Sequence, residues 1–390
     1  MKLSARFTNW LEHRWVNPAY VGWVLLGLAL FFFSAATNTL AGWLYVISGV
    51  MLALLAVAAL LPPRNLQGLV VTRSSIQPVT ARVPLAIEVR VQNPQRQTKA
   101  LFQIIDVLPA GLGAVQTAAV STLPPGQTHT WRYQVPTQRR GIYRWPRIDL
   151  RTAAPLGLFW CRRSIEAPAT AVVYPQVLPL KRCPLLDTVG PRDGQHWRYN
   201  PAAHADTQGV TRSLRPYRWG DPTRLIHWRT SARYGELRVR ELETITASRE
   251  VIIALNTAAR WREDSFEQAV VAAASLYTYA LQQGFTAALW LPQPEATGRD
   301  NLLRESNRVM LTLAGVEPAP TAQGAIAPPQ QTTIWLTAGG AESIALPKGS
   351  RQVIWNSGSK ASEPSSTLRI DSSEPLEIAL QAGSPTLRQP

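Results

Sequence analysis

The hydrophobic pattern of the chain begins with two long apolar runs. Residues 19–36 and 40–61 carry no charged side chain, and only the three residues Thr37, Asn38 and Thr39 separate them. A helix needs roughly 20 apolar residues to cross the hydrocarbon core of a bilayer, since each residue adds about 1.5 Å. A secretory signal peptide has one shorter apolar region, so it explains this pattern less well. The pattern predicts a transmembrane helical hairpin within residues 1–65.

Basic residues flank the two runs, whereas the segment between them is uncharged. The flanking residues are Lys2, Arg6, Arg14, Arg64 and Arg73. Because lysine and arginine close to a span favour the cytoplasmic side, both termini and the soluble domains are predicted to be cytoplasmic. The chain has two cysteines, Cys161 and Cys183, which are too few for a disulfide framework and agree with a reducing compartment.

Between residues 66 and 178 the pattern changes to short alternating runs bounded by Pro, Gly and Asn. In residues 85–91, for example, every second residue is Leu, Ile or Val, as on the buried face of a strand. Such strands recur about every ten residues with no helical period between them, which favours an antiparallel β-sandwich of immunoglobulin-like type. His129, Asp106 and Asp149 are isolated in this pattern, so we expect the sandwich to have a structural role.

The most unusual composition lies in residues 212–243, which contain eight arginines, two tryptophans and a histidine. Asp221 is placed to cap a helix whose first residue is Pro222, because a capping carboxylate accepts N–H groups of the first turn. Helical spacing puts Trp228 on the buried face of that helix, and Gly235 ends it before a strand. The stretch is therefore predicted to form a corner, a helix, a turn and a strand.

The order of residues in this stretch resembles the signature of the DUF58 family of bacterial proteins. The matching residues are Arg215, Tyr217, Gly220, Asp221, Arg224, Ile226, His227, Trp228, Ser231, Ala232, Arg233 and Glu243. Residues 139–160 also resemble the strand and turn that close the sandwich in that family, although Ala154 stands where an aspartate is expected. The resemblance implies a bacterial inner-membrane protein with the signature within residues 179–250, and it does not define a reaction.

Strand and helix patterns alternate over residues 251–390, as in a doubly wound α/β domain with a largely parallel sheet. Here the resemblance extends to the von Willebrand factor A-like domain that DUF58 proteins are thought to carry. That fold often binds Mg²⁺ at a D-x-S-x-S loop after its first strand, whereas this chain has Asn256 for the aspartate and Arg260 for a serine. A hard cation would lack an anionic ligand there, so no metal is predicted.

The net charge of +15 is carried mainly by arginine and suits acidic partners, anionic lipids or nucleic acid. Acidic residues interleave with the arginines of the signature, so an ion-pair network with a structural or docking role is expected. Phosphate or nucleic acid binding is the alternative, although burial of Trp228 would remove it from base stacking. A hydrolase using His227 with Asp221 or Glu241 is a third hypothesis, but their spacing does not force these side chains together.

The sequence thus predicts a multidomain, non-enzymatic, membrane-anchored scaffold or assembly protein without a cofactor. No Walker motif occurs in the chain, so ATP-driven work would come from a partner. The DUF58 resemblance implies a MoxR-type AAA+ ATPase and a transglutaminase-like membrane protein as partners, beside the lipid bilayer. The alternative function is a membrane-tethered binder of nucleic acid or another anionic polymer.

Overall fold

The computed structural model describes the chain over residues 10–187, 210–219, 221, 223–243, 250–292, 302–319, 329, 331–339, 346–347, 349–355, 367–370 and 375–382. The chain forms two compact units. Unit 1 comprises Met1–Leu178 and Ser306–Glu317, and unit 2 comprises Pro179–Glu305 and Pro318–Pro390.

Helices and strands are numbered here in chain order within the described residues. The helices are α1 Tyr20–Thr39, α2 Gly42–Leu66, α3 Pro184–Asp187, α4 Trp228–Tyr234, α5 Glu263–Gln282, α6 Ser306–Gly315 and α7 Leu376–Ala382. The strands are β1 Asn17–Pro18, β2 Val70–Arg73, β3 Val79–Thr80, β4 Leu85–Gln92, β5 Lys99–Asp106, β6 Gln116–Leu123, β7 Thr128–Val135, β8 Gly141–Thr152, β9 Phe159–Tyr174, β10 Val210–Pro216, β11 Arg238–Glu243, β12 Glu250–Leu255, β13 Thr286–Trp290, β14 Leu302–Leu303, β15 Thr333–Ala338, β16 Arg351–Trp355 and β17 Thr367–Ile370.

Helices α1 and α2 are long and apolar enough to cross a membrane, by length and composition. They pack against each other, and the small residues Ala29 and Ala36 of α1 are buried. The hydroxyl of Ser48 on α2 donates to the carbonyl oxygen of Ala29 at 2.9 Å. Small side chains allow close helix approach in an apolar environment, and a buried hydroxyl can bond to a backbone carbonyl across the contact. The predicted pair of apolar helices is confirmed.

The end of α2 is fastened to the sandwich by polar side chains. Lys99 is 2% exposed and its Nζ donates to the carbonyl oxygen of Arg64 at 2.8 Å, in the last turn of α2. Asn65 donates to the carbonyl oxygen of Ala100 at 2.6 Å and accepts from the Ala100 N–H at 3.2 Å. Carbonyl groups in the last turn of a helix have no partner within the helix, and a cation is favourable there.

Two sheets of unit 1 share one hydrophobic core. One sheet has the order β2-β4-β7, and the other has the order β1-β9-β8-β5-β6 with β3 paired to β9. The alternation predicted for residues 85–91 is confirmed, because the side chains of Leu85, Ile87, Val89 and Val91 are at most 1% exposed. The described region is therefore a two-sheet, mainly antiparallel structure, and its immunoglobulin-like type stays a prediction.

The two aspartates of the sandwich are isolated in the sequence pattern, but in the fold each has two or more side-chain partners. Asp106 accepts hydrogen bonds from three side chains that are distant in sequence, namely those of Arg73, Tyr133 and Trp145. Asp149 accepts from the Ser164 hydroxyl at 2.6 Å and pairs with Arg162 at 2.9 Å. Cross-strand register brings these partners together, and the spacing of residues along one strand cannot reveal it.

Glu88 on β4 has a strongly lowered pKa, about 2 against an ordinary value of 4.5. The causes are hydrogen bonds from Arg132 at 2.6 Å, from the Ser74 hydroxyl at 2.9 Å and from Arg90 at 2.7 Å. A carboxylate with a depressed pKa in the folded state stabilises the fold above its ordinary pKa, and this contribution is lost as pH falls through the folded value.

We therefore predict that Glu88→Gln lowers the thermal midpoint of the detergent-solubilised chain at neutral pH. The difference from the native chain should shrink between pH 4.5 and pH 2, where Glu88 becomes protonated. Thermal unfolding followed by tryptophan fluorescence over this pH range measures it. A difference that stays constant down to pH 2 would contradict the assignment of the stabilisation to the Glu88 charge.

Both cysteines are free and buried, as expected for residues that do not form a disulfide framework. Burial raises the pKa of the Cys161 thiol, and burial likewise raises the pKa of the Cys183 thiol to about 12. The thiolate is the reactive form of cysteine, so both side chains are unreactive in the folded protein at neutral pH.

In unit 2 a six-stranded sheet has the order β14-β13-β12-β15-β16-β17. All neighbouring strands are parallel except the edge pair β13–β14. The chain passes from β12 to β13 on one side and later to β15 on the other side, so β12 and β15 flank a topological switch point. The largely parallel sheet is confirmed, whereas its likeness to a von Willebrand factor A domain stays a prediction.

Helix α6 differs from the prediction that residues 251–390 form one α/β domain. It belongs to unit 1, where it contacts β8 and β9 and buries Val309 and Leu313 completely. The guanidinium of Arg140 donates to the carbonyl oxygens of Leu313 at 3.3 Å and of Val316 at 2.8 Å. An amphipathic pattern such as that of α6 indicates a helix, but it does not say which surface covers the apolar face.

Candidate functional site

The signature stretch folds around the antiparallel pair β10–β11. Arg215 lies opposite Val239 in this pair, and Ile226 forms an isolated bridge to the same Val239. Ile226 is 5% exposed and Val239 is 2% exposed, so these two residues are the buried contact of the corner. The N–H of His227 donates to the carbonyl oxygen of Arg238 at 2.8 Å, which fixes the start of α4 against β11.

Asp221 joins the two sides of the corner. The two terminal guanidinium nitrogens of Arg215 each donate to the Asp221 carboxylate at 2.7 Å, and the backbone N–H of Arg218 donates to the same carboxylate at 2.8 Å. The hydrogen bonds from Arg215 and then from Arg218 lower the pKa of Asp221. Asp221 does not cap α4, because that helix begins at Trp228, so the predicted capping is wrong. The carboxylate instead holds Arg215 in a two-pronged ion pair.

His227 is the residue that caps α4. Its Nδ1 accepts the backbone N–H of Thr230 at 3.2 Å, and the Thr230 hydroxyl lies 2.7 Å from the same nitrogen. Ser231 then links the helix to the strand, because its hydroxyl accepts from the Arg238 N–H at 2.9 Å and donates to the His227 carbonyl oxygen at 3.1 Å. The helix ends at Gly235, whose φ of 72° is the left-handed conformation that glycine adopts readily.

Trp228 is 65% exposed, so the prediction that it lies on a buried face is wrong. The prediction places the start of the helix at Pro222, whereas residues 223–225 form a 3₁₀ turn and the α-helix begins only at Trp228. Trp219 is fully exposed at 100% and Tyr234 is 60% exposed. We call Trp219, Trp228 and Tyr234 the exposed aromatic set.

Arginines accompany the exposed aromatic set. Arg218, Arg229, Arg233 and Arg240 have exposed side chains. Arg238 is half-buried, and its guanidinium lies 4.6 Å from the centre of the Tyr234 ring. Among the side chains that the structure describes in this stretch, Arg215 and Asp221 form an ion pair. Most of the described arginines face solvent, and the wider network stays a prediction.

The remaining predicted site residues have different positions. Tyr217 is half-buried and its N–H donates to the carbonyl oxygen of Leu237 at 2.8 Å. Gly220 lies outside the described residues, and only the backbone is described for Arg224 and Glu243. The structure thus brings together Arg215 with Asp221, and His227 with Ser231, in two local contacts that shape the corner.

The loop after β12 is held by hydrogen bonds within the loop and to β15. The amide of Asn256 donates to the Thr337 hydroxyl at 3.1 Å and accepts from the Ala258 N–H at 3.2 Å. The indole N–H of Trp261 donates to the Asn256 carbonyl oxygen at 2.7 Å. No group of three His, Cys, Asp or Glu side chains suited to a metal lies in the part of the chain that the structure describes. That no metal binds here stays a prediction.

The described chain therefore has two apolar helices, long enough to cross a membrane, followed by a sheet-rich, multidomain region with an arginine-rich corner. Residues 213–326 match the family model described as "Protein of unknown function DUF58". A curated relative, the uncharacterised protein YeaD of Bacillus subtilis strain 168, is 26% identical over 195 residues, 48% of this chain and 47% of the relative. The chain spans about half the length of that relative.

Two solved structures illustrate the likenesses that were found. Red sea bream transglutaminase is 16% identical at a TM-score of 0.21, over 28% of this chain and 15% of that chain. The CARDB domain of the PF1109 protein of Pyrococcus furiosus is 13% identical at a TM-score of 0.19, over 27% of this chain and 93% of that chain. At such low TM-scores neither likeness supports an assignment of fold or function.

Proposed function

We propose that this chain is a DUF58 protein that acts as a non-enzymatic, membrane-anchored scaffold. Helices α1 and α2 form the anchor in the bacterial inner membrane, and both termini and the soluble domains face the cytoplasm. Support for the anchor comes from the length and composition of the two helices, and support for the orientation comes from Arg14 and Arg64 beside them. Unit 2 carries a von Willebrand factor A-like domain that binds protein partners.

The observation that carries the proposal is the exposed aromatic set beside exposed arginines. Tryptophan, tyrosine and arginine are the residues that contribute most to protein–protein binding when they become buried at the centre of an interface. Trp219 exposes its whole side chain to water, so its ring is available to a partner. The net charge of +15 favours an acidic partner surface.

The partner that we propose is a MoxR-type AAA+ ATPase, with a transglutaminase-like membrane protein in the same assembly. The chain contains no Walker motif, so a partner would supply ATP-driven work. A non-enzymatic role accords with the use of His227 as a helix cap and of Asp221 as the partner of Arg215, because both side chains are occupied by local structure.

We predict that the double variant Trp219→Ala/Trp228→Ala recovers much less AAA+ ATPase from solubilised membranes than the native chain. Each truncation of a buried interface tryptophan costs about 2 kcal/mol or more, which is roughly 30-fold in Kd. Leu281→Ala on α5, a residue that is 41% exposed, is the matched control and should leave recovery unchanged. Equal recovery by the double variant and the control would refute docking through these tryptophans.

Two charge-reversal variants distinguish docking through the arginines of the signature stretch from attraction by the net charge of the whole chain. Arg229→Glu changes an exposed arginine of α4, and Arg260→Glu changes an exposed arginine after β12. Both substitutions change the net charge by the same amount. Docking on the signature predicts weaker capture for Arg229→Glu alone, whereas attraction by net charge predicts equal losses. Failure of the native chain to recover any AAA+ ATPase would count against this partner.

Exposure of Trp228 also favours a second candidate, binding of nucleic acid or another anionic polymer. Exposed aromatic rings beside arginines can stack on bases while the guanidinium groups contact phosphates. Affinity would then fall steeply as salt concentration rises, because phosphate contacts release counterions. Fluorescence anisotropy with single-stranded DNA and RNA across a salt series tests it, and a flat response would exclude this candidate.

His227 provides a test between scaffold and hydrolase. We predict that His227→Ala lowers the free energy of unfolding by about 1 kcal/mol, because α4 loses its N-cap, and that His227→Asn restores it, since asparagine caps well. Complementation of a deletion strain should follow the same order. A strain in which His227→Asn folds normally but fails to complement would point to chemistry at the imidazole instead.

A further inference from the structure

The β8–β9 turn, residues 153–158, is held against the start of α1. The N–H of Ala19 donates to the carbonyl oxygen of Leu158 at 2.8 Å, and β1 pairs with the first residues of β9. At Gly22 the turn approaches so closely that a Cβ would come within 3.0 Å of the same oxygen. The β8–β9 turn therefore contacts the side of α1 at its first helical turn.

Leu158 packs against both helices of the hairpin. It forms a buried cluster with Leu55 and Ala58 of α2, and Leu25 and Leu26 of α1 pack on that cluster. Leu55 precedes the end of the apolar run at Leu61 by six residues, or about 9 Å along the helix at 1.5 Å per residue. Leu158 thus contacts the hairpin at a depth where the helices would be in hydrocarbon.

The tip of the turn is apolar and exposed. Residues 153–158 contain no charged or hydrogen-bonding side chain, and Leu156 is 46% exposed between the exposed Pro155 and Gly157. Leu101 is 63% exposed and adjoins this region, because its carbonyl oxygen accepts from the Thr152 hydroxyl at 2.8 Å. Exposed leucines cost free energy in water and are favourable in lipid.

Tryptophan and arginine side chains border this apolar tip. Arg151 lies 4.0 Å from the centre of the Trp160 ring and pairs with Glu12 at 2.6 Å. Arg163 donates to the carbonyl oxygen of His13 at 2.8 Å, and the neighbouring Trp15 is 73% exposed. Such a belt of aromatic and basic groups is typical of the level of lipid headgroups.

We infer that the β8–β9 turn is a third membrane-contacting element, which inserts Leu156 into the bilayer beside the hairpin. The inference rests on the proposed anchoring of α1 and α2 in a membrane. The occupant of this surface is lipid, because the apolar tip continues the lipid-facing surface of the hairpin and the bordering tryptophan and arginine side chains are typical of the headgroup level. The sandwich is then held at the bilayer surface by the turn as well as by the end of α2.

The test is fluorescence quenching on the full chain in vesicles of phosphatidylcholine and phosphatidylglycerol. Leu156→Cys is labelled with bimane, while the native cysteines, which are 0% exposed, stay unlabelled. We expect quenching by doxyl-labelled lipid and a loss of quenching by aqueous iodide. The matched control is Val107→Cys, because the native Val107 side chain is 48% exposed just after β5. Lys99 at the other end of β5 contacts the end of α2. At some 3.3 Å per residue, the far end of the strand lies about 23 Å from Lys99. It should be quenched by iodide and not by lipid.

A third probe, Leu52→Cys in α2, reports on the anchor itself. If lipid quenches the bimane label at position 52 while iodide quenches the label at position 156, the inference is overturned and the proposed anchor stands. If lipid quenches neither probe, the proposed membrane anchor fails and the inference fails with it. If Leu156 is shielded from both lipid and iodide, protein covers the turn, and the inference is again overturned.

Discussion

We expect Asp106→Ala to lower the free energy of unfolding of the sandwich by about 3–5 kcal/mol, because it leaves the buried guanidinium of Arg73 without its carboxylate. The Arg73 side chain is 1% exposed and the Asp106 side chain is 0% exposed. Their nitrogen and oxygen atoms are 2.6 Å apart. A buried ion pair adds little net stability while it is complete, but removal of one partner strands a charge away from water.

The surroundings of Asp106 show which other groups depend on its carboxylate. Its second carboxylate oxygen accepts from the Tyr133 hydroxyl at 2.7 Å, and the indole N–H of Trp145 donates to the first oxygen at 3.0 Å. Arg73 is further held by backbone carbonyls, including that of Arg147 at 3.0 Å. Burial lowers the pKa of Arg73, and burial followed by the nearby Asp106 raises the pKa of Tyr133. This network joins β2, β5, β7 and β8, and so links both sheets.

Urea unfolding of the detergent-solubilised chain, followed by tryptophan fluorescence, measures the effect. Asp149→Ala is the matched control, because its partner Arg162 keeps 20% of its side chain exposed and can be hydrated. The double variant Arg73→Met/Asp106→Leu should recover part of the stability, since it strands no charge. The recovery stays incomplete, because the Tyr133 hydroxyl and the Trp145 indole N–H still lose their acceptor. Equal losses for Asp106→Ala and Asp149→Ala would contradict the assignment of the effect to a stranded charge.

Much of the fold follows from periodicity along the chain. The two apolar runs predict α1 and α2, and the alternation near Ile87 predicts a buried strand. The apolar run before Asn256 predicts β12, which is buried from Val251 to Leu255. These elements are local, so their signals lie within about twenty residues. The Arg73–Asp106 pair shows the limit, because its members are 33 residues apart and meet only through the pairing of the sheets.

The candidate site was predictable in identity and less so in geometry. The signature residues identified the segment that matches the DUF58 family model. The sequence does not predict the exposure of Trp228, because a 3₁₀ turn shifts the start of α4 from Pro222 to Trp228. A helix of only seven residues samples less than two full turns, so its hydrophobic period is a weak guide to its buried face.

We expect Gly22→Ala to destabilise unit 1 by about 1–3 kcal/mol, the usual cost of overpacking a tight contact. The new methyl group would come closer than 3.0 Å to the carbonyl oxygen of Leu158, a backbone atom that cannot rotate away. That oxygen also accepts from the Ala19 N–H at 2.8 Å, so displacement of the turn would weaken this hydrogen bond too. The thermal midpoint of the detergent-solubilised chain is the measurement.

The same hairpin supplies the controls for Gly22→Ala. A Cβ at Gly27 or at Gly49 would meet nothing within 4 Å, so Gly27→Ala and Gly49→Ala should leave the midpoint unchanged or raise it. If all three substitutions have the same effect, helix propensity rather than contact with the turn is responsible. If only Gly22→Ala lowers the midpoint, and in vesicles it also makes the bimane probe at Leu156→Cys accessible to iodide, then the position of the β8–β9 turn depends on its contact with α1. The depth of the turn would in that case be set by the hairpin and not by the sandwich alone.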